Sequence, residues 1–328
     1  MTERVGWGIL GTGKIAVKFA DDLRHVPGAA LAAVGSRTAE AAEGFGNRFR
    51  IPRRHASYDE LVHDPEIDVV YVATPPALHA GHARLALEAG KHVLCEKPFT
   101  LNARQAADLI ALARERRLFL MEAMWMRFLP AIVDARRILA EGTLGEVRML
   151  SADFGLRFSF NPQGRLFAPE LGGGALLDLG VYPVSLAHMV LGRPATIVSL
   201  ATMGPTGVDD QSGIVLRYAG GQIAVLHAAM GVATPTEAAI IGTLGRLRLH
   251  SHFYRTDDLT LSLPGKPDRN IHHRRTGNGL HHQAIAVMES LRQERLECET
   301  MPLSESLAVM ETLDAIRAQW GLKYPGEG

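Results

Sequence analysis

Between residue 5 and about residue 122, short apolar runs alternate with helix-length segments whose apolar positions recur every three or four residues. That is the pattern of parallel β-α units. Strands are predicted at 5–10, 29–34, 69–73, 92–96 and 118–121, with a weaker one near His55. Helices are predicted between them at 15–23, 39–49, 79–89 and 103–116. The strands are continuous apolar runs, as strands covered on both faces are. Beyond residue 122 the texture changes: helices at 130–140 and 175–191 are followed by closely spaced strands at 197–203, 213–218, 223–229, 237–241 and 247–250, with one more at 147–154. Ala219-Gly220-Gly221 and Thr243-Leu244-Gly245 read as tight turns, so this second sheet is expected to be largely antiparallel. Helices at 280–292 and 304–320 close the chain, the latter with Ser304 as its expected cap.

The predicted fold is therefore α/β: an N-terminal Rossmann, doubly wound parallel sheet over 1–122, then an α+β domain with a large, mainly antiparallel open sheet over 123–328. The length of 328 residues suits two domains. With 47% hydrophobic and 21% charged residues and zero formal net charge, the composition is that of a globular protein. A neutral chain lacks the field that sequence-independent nucleic-acid binding needs, so no nucleic-acid partner is expected. The two cysteines, Cys95 and Cys298, imply no disulfide framework and fit a reducing compartment, the cytoplasm. No export signal is read at the start, and apolar runs such as 69–73 fall far short of the ~20 residues that span a bilayer, so no membrane partner is expected.

The first strand runs into Gly11-Thr12-Gly13-Lys14-Ile15-Ala16, a dinucleotide fingerprint between strand and helix. Gly11 permits the tight turn, Gly13 lets the backbone approach a pyrophosphate, and Ala16 allows close helix packing. The helix start offers free N–H groups and about half a positive charge to phosphates. At the end of the second strand, where an acidic residue would select NAD, the chain has Ser36-Arg37. A guanidinium and a hydroxyl there suit a 2′-phosphate, so NADP is expected over NAD. The fourth strand ends Glu96-Lys97-Pro98, which places Lys97 at the sheet edge where open α/β folds bind ligands.

Together with the fingerprint, Glu96-Lys97-Pro98, Thr74-Pro75-Pro76 with His79, and the run from Gly172 through Asp178 to Tyr182 resemble the glucose-fructose oxidoreductase and inositol dehydrogenase (Gfo/Idh/MocA) family over nearly the whole chain. The run from Met121 through Trp125 and Arg127 to Phe128, with Pro302 to Ser306, is most similar to the dihydrodiol dehydrogenase-like branch. The resemblance implies an oxidoreductase moving hydride between NADP and a secondary alcohol or carbonyl of a sugar, polyol or cyclic trans-diol. It implies a cofactor site of Gly11, Thr12, Gly13, Lys14, Ile15, Ser36, Arg37, Thr74, Pro75, His79, Glu96, Lys97, Trp125 and Arg127, and a catalytic set of Lys97, Tyr182 and Asp178.

Asp178 and Tyr182 are four residues apart on one expected helix and so share a face. An ammonium about 4 Å from the Tyr182 phenol would be worth roughly 4 kcal/mol at an effective dielectric near 20, enough to bring the phenol toward neutral pH. Either Tyr182 or Lys97 is then the direct acid/base. The competing readings are a keto-sugar or carbonyl reductase and a non-catalytic NADP-binding sensor. Adjacent histidines, His272-His273 and His281-His282, point in different directions on regular structure and have no second ligand set, so no metal is expected. The open second sheet suggests a homodimer or higher homo-oligomer.

Overall fold

The computed structural model describes residues 4–327. The first six strands, β1 (Val5–Leu10), β2 (Ala29–Gly35), β3 (Arg53–His55), β4 (Val69–Val72), β5 (His92–Glu96) and β6 (Leu120–Ala123), pair in the order β3-β2-β1-β4-β5-β6. Every pair is parallel. The chain order reverses between β1 and β4, and the carboxyl ends of strands flanking such a switch point are where these sheets bind ligands. The connecting helices are α1 (Lys14–Leu23), α2 (Ala39–Phe49), α3 (Tyr58–Val62), α4 (Pro76–Glu88) and α5 (Ala103–Arg116). The sequence pattern gave no warning of α3; it is one short turn opened by Ser57, whose hydroxyl accepts from Glu60 N–H at 3.1 Å. Strand β6 starts two residues later than expected because Leu118 still closes α5, donating its N–H to Ala113 O behind Arg117 in the left-handed region. Helix α4 starts earlier, at Pro76, because proline suits a first helical position.

The second sheet has eight strands: β7 (Val147–Gly155), β8 (Thr196–Met203), β9 (Asp209–Arg217), β10 (Ile223–Ala229), β11 (Ala238–Gly242), β12 (Arg246–Leu249), β13 (Asp258–Ser262) and β14 (Arg269–His272), in the order β14-β13-β12-β11-β7-β10-β9-β8. Only β7 and β10 pair in parallel; the other pairs are antiparallel, as expected. Strands β13 and β14 were not anticipated. β13 contributes only Leu259 and Leu261 to the core, and β14 is almost wholly polar. Helices α6 (Pro130–Ala140) and α7 (Val181–Leu191) belong to this half, with α7 packed on β7 and β10. The stretch Pro169–Leu191, whose most apolar window has a mean hydropathy of 1.4, is long and apolar enough by length and composition to cross a bilayer, which the search for uninterrupted apolar runs did not register because Glu170 and Asp178 interrupt it. Its burial accounts for the composition: 83% of its most apolar window lies inside the fold.

Helices α8 (His281–Arg292) and α9 (Leu303–Ala318) complete the chain. Ser304 lies inside α9 rather than capping it; the first N–H, that of Leu303, is taken by Glu297 Oε2 at 2.9 Å. By packing, the chain forms two compact units, Met1–Trp125 with Arg275–Leu307, and Met126–Arg274 with Ala308–Gly328. The linear division at 122/123 therefore does not describe the return of 275–307 to the first unit. Asp22 of α1, only 1% exposed, holds that return: its oxygens accept the N–H groups of Asn278 and Leu280, both at 2.7 Å, and the Asn278 amide at 3.0 Å.

Candidate active site

In the first unit, β1 hands over to α1 through Gly11, whose φ of +106° is a glycine conformation and whose missing Cβ would sit 3.1 Å from Ala73 O. Gly13 opens α1 with no side chain capping it, and both Gly13 and Lys14 are exposed. The amide groups of that first turn therefore lie open to an anion. Ala16, fully buried, allows the close approach of helix to sheet that the fingerprint requires. At the end of β2, Ser36 is buried, its N–H held by His55 O at 3.1 Å, and its hydroxyl lies 3.3 Å from that of Thr12. Arg37 is exposed beside it, and its charge reaches Tyr58, opposing the upward push of burial on that phenol.

The turn after β4 carries Thr74 and Pro75. His79, on α4, fastens it to the turn after β5: its Nδ1 is 2.8 Å from Pro98 O and its Nε2 is 2.8 Å from Thr74 O. Two carbonyls ask for two N–H groups, which only an imidazolium supplies. Complete burial nevertheless pulls the ring down to about 4, the Lys97 and His82 charges adding to it, so at neutral pH the ring donates to one carbonyl at a time.

Lys97 follows β5 and is half-buried. The turn that presents it is anchored from below. The Tyr71 hydroxyl, its ring stacked on Phe19 at 3.8 Å, donates to Glu96 Oε1, and Lys97 N–H donates to Glu96 Oε2 at 3.2 Å. Phe99 N–H donates to Glu122 Oε1 at 3.1 Å. The Lys97–Pro98 peptide is cis. Tyr71 and Glu122 thus belong to the architecture of the lysine turn. Sequence reasoning missed them because buried strand residues read as core. Trp125 is also buried, at 8% exposure.

In the second unit, Tyr182 is the second residue of α7 and 5% exposed. Its ring lies 5.4 Å from that of Phe154 and 5.2 Å from that of Tyr254, and those two rings stack on each other at 4.3 Å. The phenol is thus set in an aromatic corner built by the end of β7 and the one-turn helix Phe253–Arg255. Phe154 was legible only as the inward member of an alternating strand, and no periodicity marks Tyr254.

The helix expected over 175–191 forms, but its opening residues, Leu176–Gly180, make a π turn before α7 begins at Val181. Asp178 sits in that turn, so it and Tyr182 are not on one face of a regular α-helix as expected. Such π insertions favour functional sites. Asp178 Oδ1 accepts from Arg165 Nη1 at 2.8 Å, tying the loop before the helix to the helix itself. Arg127, 3% exposed, spends two contacts on α7, from Nε to Ser185 Oγ at 3.0 Å and from Nη2 to Ser185 O at 2.8 Å. Lys97 belongs to the first unit, and Asp178, Tyr182 and Arg127 to the second. Among the described residues no group of three or more His, Cys, Asp or Glu side chains could hold a metal ion. His272 pairs with Asp258 at 2.7 Å, His273 with Asp134 at 3.0 Å, and His281 lies 3.6 Å from Asp22.

Comparison with known proteins places both halves of the chain in one family. Residues 5–124 match the model of the oxidoreductase family with an NAD-binding Rossmann fold, and residues 132–248 that of the GFO/IDH/MocA C-terminal domain. The chain is 35% identical over 330 residues to trans-1,2-dihydrobenzene-1,2-diol dehydrogenase of Xenopus tropicalis, covering 97% of this chain and 99% of that protein. It is 35% identical over 331 residues to the human enzyme of the same name, covering 97% and 98%. A 3-ketoreductase from Actinomadura kijaniata, solved with NADP and TDP-benzene, superposes with a TM-score of 0.86 at 28% identity, over 96% of this chain and 98% of that one. The resemblance read from short motifs thus extends through both halves of the molecule. The chain is an oxidoreductase of CH–OH groups and belongs to the GFO/IDH/MocA family.

Proposed function

We propose that this protein is an NADP-dependent dehydrogenase that oxidises a secondary alcohol on a ring-shaped diol or sugar, with Tyr182 accepting the hydroxyl proton and Lys97 supporting the phenolate. The observation that carries this reading is the Tyr182 phenol set against the stacked rings of Phe154 and Tyr254. Aromatic faces favour flat or ring-shaped ligands, so the substrate class is a cyclic trans-diol first and a pyranose second. The dihydrodiol dehydrogenase relatives point the same way.

The nucleotide half fits a phosphorylated dinucleotide. The uncapped start of α1 suits a pyrophosphate, with Gly11, Thr12, Gly13, Lys14 and Ile15 around it, and Ser36 and Arg37 suit a 2′-phosphate. Thr74, Pro75, His79, Glu96, Lys97, Trp125 and Arg127 complete the proposed cofactor set. NADP supplies the hydride acceptor when bound. What the chain itself must do is hold the carbinol, exclude water and move one proton. Tyr182 does the last, Lys97 favours its charged form, and Asp178, paired with Arg165, fixes the turn that carries Tyr182.

Two further parts of this reading concern the molecule's setting. The outward face of the second sheet carries a row of exposed valines, Val198, Val215 and Val225, in register across three strands, with Leu200 beside it at 80% exposure. A contiguous apolar row of this kind is covered in solution, and we assign its cover to a second copy of the chain. The buried free thiols Cys95 and Cys298 suit a reducing compartment, the cytoplasm.

The test is NADPH formation from NADP over a panel of cyclic trans-diols, cyclic cis-diols, aldoses and acyclic polyols. The expected result is turnover with trans-diols or pyranoses and little with acyclic polyols. NADP binding with no turnover on any member would identify a sensor and overturn the reading. Turnover only in the reverse direction, with ketoses or diketones, would identify a carbonyl reductase.

A further inference from the structure

We infer that Asp209 and Tyr324 are positioning residues for Tyr182: they fix the Gly173–Gly174 turn from which the helix bearing Asp178 and Tyr182 starts, making the C-terminal tail part of the catalytic apparatus. The inference rests on the reading of Tyr182 as the proton acceptor.

The turn is closed on three sides. Gly173 and Gly174 donate their N–H groups to Ala168 O at 3.1 Å and Leu166 O at 2.9 Å, which fixes the incoming loop. From a second side, Tyr324, 2% exposed, donates its hydroxyl to Gly173 O at 2.6 Å. From the third, Asp209 at the start of β9, fully buried, accepts Leu176 N–H on Oδ2 at 2.7 Å. Gly174 has φ +116°, and a Cβ there would fall 2.3 Å from Asp209 Oδ1 and 3.2 Å from the Tyr324 hydroxyl. No other residue fits where these two side chains converge.

The chemistry of Asp209 is hard to explain as packing. Its Oδ1 is buried without a hydrogen-bond partner, and burial, with Asp210 adding to it, raises the carboxyl to about 7. A carboxyl left in that state is a cost that a neutral residue would avoid. What it supplies is an acceptor for an otherwise orphaned first-turn N–H of the catalytic helix.

Tyr324 is in turn locked by the tail. Its N–H donates to Glu327 Oε2 at 2.9 Å. Arg317 of α9 grips Glu327 through Nη1 at 2.5 Å and Nη2 at 2.7 Å, reaches Leu322 O at 3.2 Å, and lies over the Tyr324 ring at 5.4 Å. The segment 317–327 is thereby fastened to the turn that begins the Tyr182 helix.

The experiment compares Tyr324→Phe, Asp209→Leu and Asp209→Asn with wild type and Tyr182→Phe. It measures kcat per NADP-binding site, the NADP Kd, thermal unfolding, and amide hydrogen exchange over residues 174–182. Tyr324→Phe and Asp209→Leu should lower kcat by about 10- to 100-fold, as misplacement of a reacting group does. They should speed exchange across 174–182 and leave the NADP Kd within about twofold, because the nucleotide half is untouched. Asp209→Asn, which keeps the acceptor for Leu176 N–H, should recover most of what Asp209→Leu loses. A lower melting temperature with normal kcat per binding site in both Tyr324→Phe and Asp209→Leu would show a merely structural role and overturn the inference. Near-normal kcat in Tyr182→Phe would overturn the reading beneath it, and this inference with it.

Discussion

At the scale of single residues, the proposed coenzyme choice rests on the side chains that follow β2. Ser36 is buried and tied to His55 through its backbone, so its hydroxyl has a fixed place, whereas Arg37 is exposed and able to swing onto a phosphate. Arg37→Asp replaces a phosphate partner with a carboxylate suited to a ribose hydroxyl. The ratio of kcat/KM for NADP to that for NAD should fall by about 100-fold or more, the value of one or two charge-assisted bonds. An unchanged ratio would remove Arg37 from this role. The positions of Lys97 and of the glycine fingerprint were legible from sequence because each stands at a strand end or helix start that the apolar pattern marks. Tyr182 was picked out only by the family-like run from Gly172 and lay inside the expected helix, the π turn having moved the start of α7 to Val181. Phe154, Tyr254 and Arg165 were not legible. They reach the site through strand alternation, a single helical turn and an irregular loop, and none of these leaves a local signature.

At the scale of elements, the parallel sheet was readable almost strand for strand, because its strands are buried on both faces and separated by helices with side-chain caps such as Thr38 and Asn102. The second sheet was less readable at its far edge. Strand β14 carries too little apolar residue to announce itself, and it forms because β13 offers it a partner. The π turn at Leu176–Gly180 was invisible for a different reason. Its sequence is a good α-helix, and the wider turn is accompanied by contacts made far away in the chain, Asp209 on Leu176 N–H and Arg165 on Asp178. Similarly, nothing in the apolar pattern announces that Asp22 receives the segment after Arg275. That recognition is made by a buried carboxylate and two backbone N–H groups.

At the scale of the whole molecule, the chain builds the first unit, then most of the second, returns to the first at Arg275–Leu307 and ends in the second, an organisation that a linear division of the sequence cannot express. The exposed valine row and Leu200 carry the assembly prediction. Wild-type protein should sediment as a dimer, and Leu200→Asp combined with Val215→Asp should sediment as a monomer with unchanged NADP affinity. A monomeric wild type would remove the proposed interface. The central proposal, that Tyr182 accepts the substrate proton with support from Lys97, is tested most directly by turnover of Tyr182→Phe and Lys97→Met on the best trans-diol or sugar substrate, with NADP binding measured alongside. The account predicts that Tyr182→Phe loses about 100- to 10,000-fold in kcat, the usual worth of a placed acid/base, while still binding NADP. Near-normal turnover in Tyr182→Phe with none in Lys97→Met would contradict it and make the lysine the group that moves the proton.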